Sequence, residues 1–185
     1  GYLKYFENQG STEDFVFEEI PRFFYRLKLG INPVPLFTDL DSDGDLDIIA
    51  GNMNGKLLMA LNQSEQGKGF QLMLRDYLGI DVGIGSTPVL ADLNNNKEKE
   101  LIIGSDNGKL AFYSLNAASP KRKWDWKKLL KEGENDQLPK ACFPIFTDLD
   151  SDGDLDLLIG NQGEGIIVYI NQAITVQPEN ENQEQ

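Results

Sequence analysis

The chain has 185 residues, 40% hydrophobic and 25% charged, an ordinary composition for a globular protein with a sizeable core. Its 30 acidic residues outnumber the 17 basic ones for a net charge of -13, which excludes nucleic acid and anionic membrane surfaces as partners and favours cations. A single cysteine, Cys142, excludes an intrachain disulfide framework, and the absence of histidine removes the commonest general base and the usual imidazole ligand for zinc or copper.

No apolar run reaches the ~18 residues that cross a bilayer, and residues 1 to 20 lack the basic start and apolar stretch of a signal peptide. A signal peptide is expected to have been removed or never present. The opening GYLKYFENQGSTEDFVFEEI reads as the last two strands of a repeat, so the chain is expected to be a piece of, or one subunit in, something larger.

Three segments then match one another: 34 to 63, beginning VPLFTDLDSDGDLDIIAG; 87 to 116, beginning TPVLADLNNNKEKELIIG; and 143 to 172, beginning FPIFTDLDSDGDLDLLIG. Their acidic loops start at Asp39, Asp92 and Asp148, giving periods of 53 and 56 residues, the range of architectures in which each unit buries its apolar face on the next. Within each segment an apolar run, the acidic loop, a second apolar run and a turn follow in order. The turns Asn54-Gly55 and Asn107-Gly108 are strong hairpin signals, because both residues tolerate positive φ; Glu164-Gly165 takes their place in the third segment. A fourth strand is expected from Phe70 to Arg75 or Trp124 to Trp126. The fold predicted is an all-β propeller, or part of one, with four-stranded antiparallel blades and about three and a half blades in 1–172. The divisions are 1–20 (back half of a blade), 21–80, 81–135 and 136–176, followed by a disordered polar tail over 177–185.

In the first loop carboxylates occupy alternate positions, Asp39, Asp41, Asp43, Asp45 and Asp47, with Gly44 at the sixth place. Alternate side chains of a tight loop converge on one point, and hard oxygens at this density suit Ca²⁺. Asp39, Asp41, Asp43 and Asp47 are predicted side-chain ligands and Asp45 a carbonyl ligand. Asp148, Asp150, Asp152, Asp154 and Asp156 repeat the arrangement. The helix-loop-helix calcium hand needs a glutamate at position 12, where this chain has Ala50 and Ile159; thrombospondin-type repeats need many cysteines. Both are rejected.

These residues, F-T-D-L-D-S-D-G-D-L-D followed by I-I-A-G or L-L-I-G, resemble the FG-GAP (VCBS) repeats of integrin α-subunit propellers and of many bacterial secreted proteins. The resemblance covers roughly 1–172. It implies a calcium ion between the first two strands of a blade and a role in adhesion or ligand binding. The middle loop departs from it: Asp92, Asn94, Asn96, Glu98 and Glu100 offer fewer anionic oxygens, Lys97 replaces glycine and Lys99 adds positive charge. Two calcium sites are expected, with the third loop position either weaker or closed by Lys97 or Lys99 pairing with its carboxylates.

Elsewhere, Trp124 and Trp126 read either as indoles between blades or as an exposed platform for a sugar or partner. Seven of the 17 basic residues lie between Lys121 and Lys140, a candidate partner patch. Cys142 reads as a buried inert thiol, and Pro35, Pro88 and Pro144 as strand-start prolines. The acids left outside the repeat, such as Asp76 and Asp81, show no pairing. The function expected is a non-catalytic, calcium-stabilised adhesion or assembly module outside the cytoplasm (extracellular, cell-surface or periplasmic), binding a protein or glycan. A propeller portion of a lyase or glycosidase and a calcium-dependent lectin are the alternatives, and two copies would supply about seven blades.

Overall fold

The computed structural model describes residues 3–21, 24, 27–114, 122–124, 138, 140–163 and 165–172. Trp126, most of the basic insert and the polar tail lie outside them. Among the described residues the protein is all-β, with four antiparallel sheets in chain order. A hairpin pairs β1 (Phe6–Asn8) with β2 (Phe17–Glu19). Sheet 1 is the meander β3 (Val34–Thr38), β4 (Asp47–Gly51), β5 (Leu57–Gln63) and β6 (Gly69–Leu74). Sheet 2 repeats it with β7 (Ser86–Ala91), β8 (Glu100–Ser105), β9 (Leu110–Ser114) and β10 (Arg122–Trp124). Sheet 3 has β11 (Phe143–Thr147), β12 (Asp156–Gly160) and β13 (Ile166–Tyr169). The expected fourth strands are therefore β6 and β10.

Register carries the repeat. Asn62 lies opposite Phe70 across β5 and β6, and Asn8 lies opposite Phe17 across β1 and β2, so the N-terminal hairpin is built like the outer half of sheet 1. The turns between second and third strands place Gly55 and Gly108 at φ 74, where a Cβ would be strained.

The second strands of sheets 1 and 2 are apolar on both faces, because each of these sheets has a neighbour on either side. Ile48 and Ala50 face back, into a core with Leu27, Leu29 and the hairpin's Leu3 and Tyr5. Ile49 faces forward and meets Leu101 and Ile103 of sheet 2. Ile102, on the other face of β8, meets Leu157 and Ile159 of sheet 3. Alternation along one strand thus assigns every second residue to the preceding sheet and the rest to the following one.

At the end of each second strand stands a glycine. A Cβ on Gly51 would lie 1.9 Å from the Ser86 carbonyl oxygen and 2.8 Å from the Pro88 ring, and one on Gly104 would lie 2.1 Å from the Cys142 carbonyl oxygen and 2.7 Å from the Pro144 ring. The prolines sit on the first, outermost strand of each sheet, where a missing N–H costs no ladder bond, and Pro88 and Pro144 close on the glycine of the sheet before. Gly160, at the same place in sheet 3, has nothing nearer than its own strand neighbour Phe143 at 3.7 Å. Gly51→Ala and Gly104→Ala are each expected to destabilise the protein by at least about 2 kcal/mol through overpacking, whereas Gly160→Ala stays within about 0.5 kcal/mol. Urea unfolding of the three variants measures this directly, and equal losses at all three would contradict the stacking.

Candidate metal centre

Each acidic loop joins the first strand of a sheet to the second. The chain reverses there through two left-handed residues, Ser42 (φ 64) and Gly44 (φ 94) in the first loop, and Ser151 (φ 64) and Gly153 (φ 93) in the third. The first aspartate organises the turn. Asp39 accepts hydrogen bonds from the Ser42 N–H at 2.8 Å and the Gly44 N–H at 3.1 Å, and Asp148 accepts from the Asp152 and Gly153 N–H groups at 3.2 and 3.1 Å. Asp43 and Asp152 each accept the N–H two residues on, at 3.1 and 3.0 Å.

The turn brings carboxylate oxygens of Asp39, Asp41 and Asp43 within 4.8 Å of one another, and does the same for Asp148, Asp150 and Asp152. Both triads are exposed on the loop side, and each could hold a metal ion. Partial desolvation and the carboxylates of Asp43, Asp47 and Asp39 push the Asp41 carboxyl above its ordinary value of 3.8. Desolvation together with Asp152, Asp156 and Asp148 does the same to Asp150. Asp45 is raised by desolvation and by Asp43, Asp47, Asp41 and Glu65. Its Oδ1 is buried and has no hydrogen-bond partner, an arrangement that a cation relieves and a bare loop does not. Asp45 therefore offers a side-chain oxygen in addition to the carbonyl expected from the sequence.

The last acid of each loop has a different task. Asp47 is fully buried at the head of β4; its Oδ2 accepts the Leu40 N–H at 2.8 Å and its Oδ1 accepts the Asn62 N–H at 2.7 Å. Asp156 repeats this with Leu149 at 2.7 Å and Asn171 at 2.8 Å. One carboxylate thereby ties the loop to the end of the third strand. Each of its oxygens keeps a further lone pair, so Asp47 and Asp156 back the triads without being spent.

The middle loop keeps the backbone path but changes the chemistry. Asn95 (φ 54) and Lys97 (φ 69) take the two left-handed places, so lysine replaces glycine at a cost in strain without undoing the turn. Asp92 accepts the Asn96 and Lys97 N–H groups at 3.1 and 2.7 Å, and the Asn96 side chain accepts the Glu98 N–H at 2.8 Å. Across the loop the Asn94 amide donates to Glu100 at 3.3 Å, while Glu100 also accepts the Leu93 N–H at 3.2 Å. Asn94 stands where the other loops have Asp41 and Asp150. Its N–H fills by hydrogen bonding the gap that two carboxylates would need a cation to fill. The expected pairing of Lys97 or Lys99 with the carboxylates is absent: among the described residues neither forms an ion pair.

Other candidates resolve simply. Asp76 accepts from Lys56 Nζ at 2.8 Å, so it is paired, contrary to the sequence expectation, and Asp81 accepts the Gly83 N–H at 2.8 Å. Cys142 is fully buried, and burial pushes its thiol up to about 11. At the opposite ends of the strands from the loops, a recess of about 460 Å³ is lined by Asn52, Ser86, Thr87, Asp106, Phe143 and Asn161 among others, with all three large sheets contributing.

If the Asn94 amide stands in for an ion, then Asn94→Asp combined with Asn96→Asp and Lys97→Gly should raise the number of titratable metal sites by one. Calorimetric titration reads the stoichiometry, and an unchanged number would remove the amide from this role. Folding raises the pKa values of Asp41, Asp45 and Asp150, so the metal-free folded state holds protons that the unfolded chain has released. Metal-free stability is therefore expected to fall as pH climbs from 3.8 through the raised values. Saturating metal should flatten or invert that slope, as followed by thermal melting at stepped pH.

Comparison with models of known protein families, with curated proteins and with solved structures finds no match to this chain.

Proposed function

We propose that the chain is a calcium-stabilised, propeller-type interaction module of the FG-GAP (VCBS) kind, acting outside the cytoplasm by binding a protein or glycan and carrying out no catalysis. The observation that supports it most is the pair of identical aspartate triads, each on a loop between the first and second strands of a repeated antiparallel sheet. Ca²⁺ accepts six to eight oxygens in flexible geometry, and all donors in these loops are hard oxygens. The residues that would hold it are Asp39, Asp41, Asp43 and Asp45, and Asp148, Asp150, Asp152 and Asp154, with Asp47 and Asp156 behind them. When bound, the ion supplies positive charge where carboxylates repel and locks the loop between two strands.

Sites of this type in extracellular modules bind at ~10⁻⁴ to 10⁻³ M, which matches calcium outside cells and not the cytosol. The partner reading draws on the recess at the other rim. Phe143 supplies an apolar ring, Asn52 and Asn161 supply amides and Asp106 a carboxylate, a mixture suited to a hydroxyl-rich or amide-bearing ligand.

Chelation is expected to lower the melting temperature and millimolar calcium to restore it, with magnesium failing because it demands tight octahedral geometry. At 100-fold excess over the dissociation constant the gain is about 2.7 kcal/mol per site. Superimposable melting curves with calcium and with chelator would sink the proposal.

A further inference from the structure

The first and third acidic loops are the same nine residues, Asp-Leu-Asp-Ser-Asp-Gly-Asp-Leu-Asp, over Asp39 to Asp47 and Asp148 to Asp156. Their frames agree as well: the left-handed pair and the two N–H groups held by the last aspartate recur in both. Whatever separates the two as ion sites therefore lies outside the nine residues, in what the fold places beside them.

Asp45 carries such a difference. Among the described residues its Oδ1 is the one buried side-chain nitrogen or oxygen without a hydrogen-bond partner, and no lysine or arginine among them forms an ion pair with it. Asp43, Asp47 and Asp41 act on this carboxylate, so it lies in the field of the first triad, and Glu65 adds a further negative charge. The exit from β5 brings Glu65 there. Asp47 Oδ1 accepts the Asn62 N–H at 2.7 Å, and Asn62 Oδ1 in turn accepts the N–H and the hydroxyl of Ser64, which opens the short turn Ser64–Gln66. The third loop has the first link of that chain, from Asp156 to Asn171, but three residues beyond Asn171 the sequence has Ile174 where three beyond Asn62 it has Glu65. An ionised oxygen buried without a donor, among other carboxylates, is costly until a cation meets it.

Resting on the calcium reading above, we propose that the two ion sites are unequal: in the first, Asp45 adds its side-chain oxygen to the ligand set, whereas in the third the equivalent Asp154 gives its carbonyl alone. Affinity in oxygen-ligated loops is tuned by the charge count of the ligands, so the first site fills at calcium concentrations about tenfold or more below the third. The protein takes up its ions in order, the loop beside Glu65 first and the loop of sheet 3 last, and responds to calcium in two steps.

Calorimetric titration with calcium of the wild type, Asp45→Asn and Asp154→Asn tests this. The wild type is expected to show two sites whose dissociation constants differ by about tenfold or more. Asp45→Asn should weaken the tight site by about that factor and leave two sites of similar strength, whereas Asp154→Asn, which keeps its carbonyl, should leave both constants within about threefold, the reach of one exposed charge. Melting in chelator separates a ligand from a structural residue: Asp45 Oδ1 has no bond to lose, so metal-free Asp45→Asn is expected to melt no lower than the wild type. Two equal sites in the wild type, equal losses in the two variants, or a lowered metal-free melting temperature in Asp45→Asn would each overturn the inequality and leave calcium binding standing. A wild type that binds no calcium at either loop would overturn both.

Discussion

A β-sheet that is apolar on both faces has to be covered twice, and this requirement organises the molecule. β4 and β8 are buried along their full length, and neither could be solvated on one side as an ordinary antiparallel strand is. Stacking follows, with Ile49 against Ile103 in one contact and Ile102 against Ile159 in the next. Every sheet in the stack then places its first-to-second loop on the same rim and its second-to-third turn on the other. The acidic loops share an edge of the molecule because the sheets share an orientation.

The close approach of sheets has a specific mechanical basis. Glycine at the end of the second strand lets the next sheet's backbone come within distances that any side chain would forbid, and the proline ring of that sheet fills the remaining space. A proline on a first strand is compatible with the ladder because that strand is an edge. The proline therefore satisfies two conditions at once, one within its own sheet and one between sheets. It also explains why the carbonyl of Cys142 points at Gly104 and accepts the Thr87 hydroxyl at 2.7 Å: the segment before Pro144 is held by the sheet that it covers.

Much of this is legible from spacing. Apolar runs separated by Asn-Gly turns and acidic loops at fixed period give the strands, their order and the loop positions, since period-2 alternation and turn chemistry are local properties. What spacing does not contain is division of labour among chemically identical residues. Five alternate aspartates look equivalent in sequence, yet Asp39 holds backbone, Asp47 spans from loop to third strand, and Asp45 is left with an oxygen that nothing satisfies. Those roles depend on which N–H groups the fold brings near, a tertiary fact. That Lys97 keeps the left-handed turn of the glycine it replaces is likewise a tertiary fact, since the two N–H bonds that Asp92 accepts hold that turn against the strain of a side chain there.

The middle loop shows what the acidic loops solve. In all three the backbone reverses over the same path, so the number of carboxylates is not what shapes the turn. Asp92 shapes it with two N–H bonds, as Asp39 and Asp148 do in their loops. What remains after the turn is a gap between the third residue of the loop and the ninth. With aspartate at both, the gap holds two like charges and needs positive charge from outside; with Asn94 facing Glu100 it holds a donor and an acceptor and is complete. The exchange of a single oxygen for an N–H₂ therefore separates a loop that sets two like charges facing each other from one that closes with its own atoms.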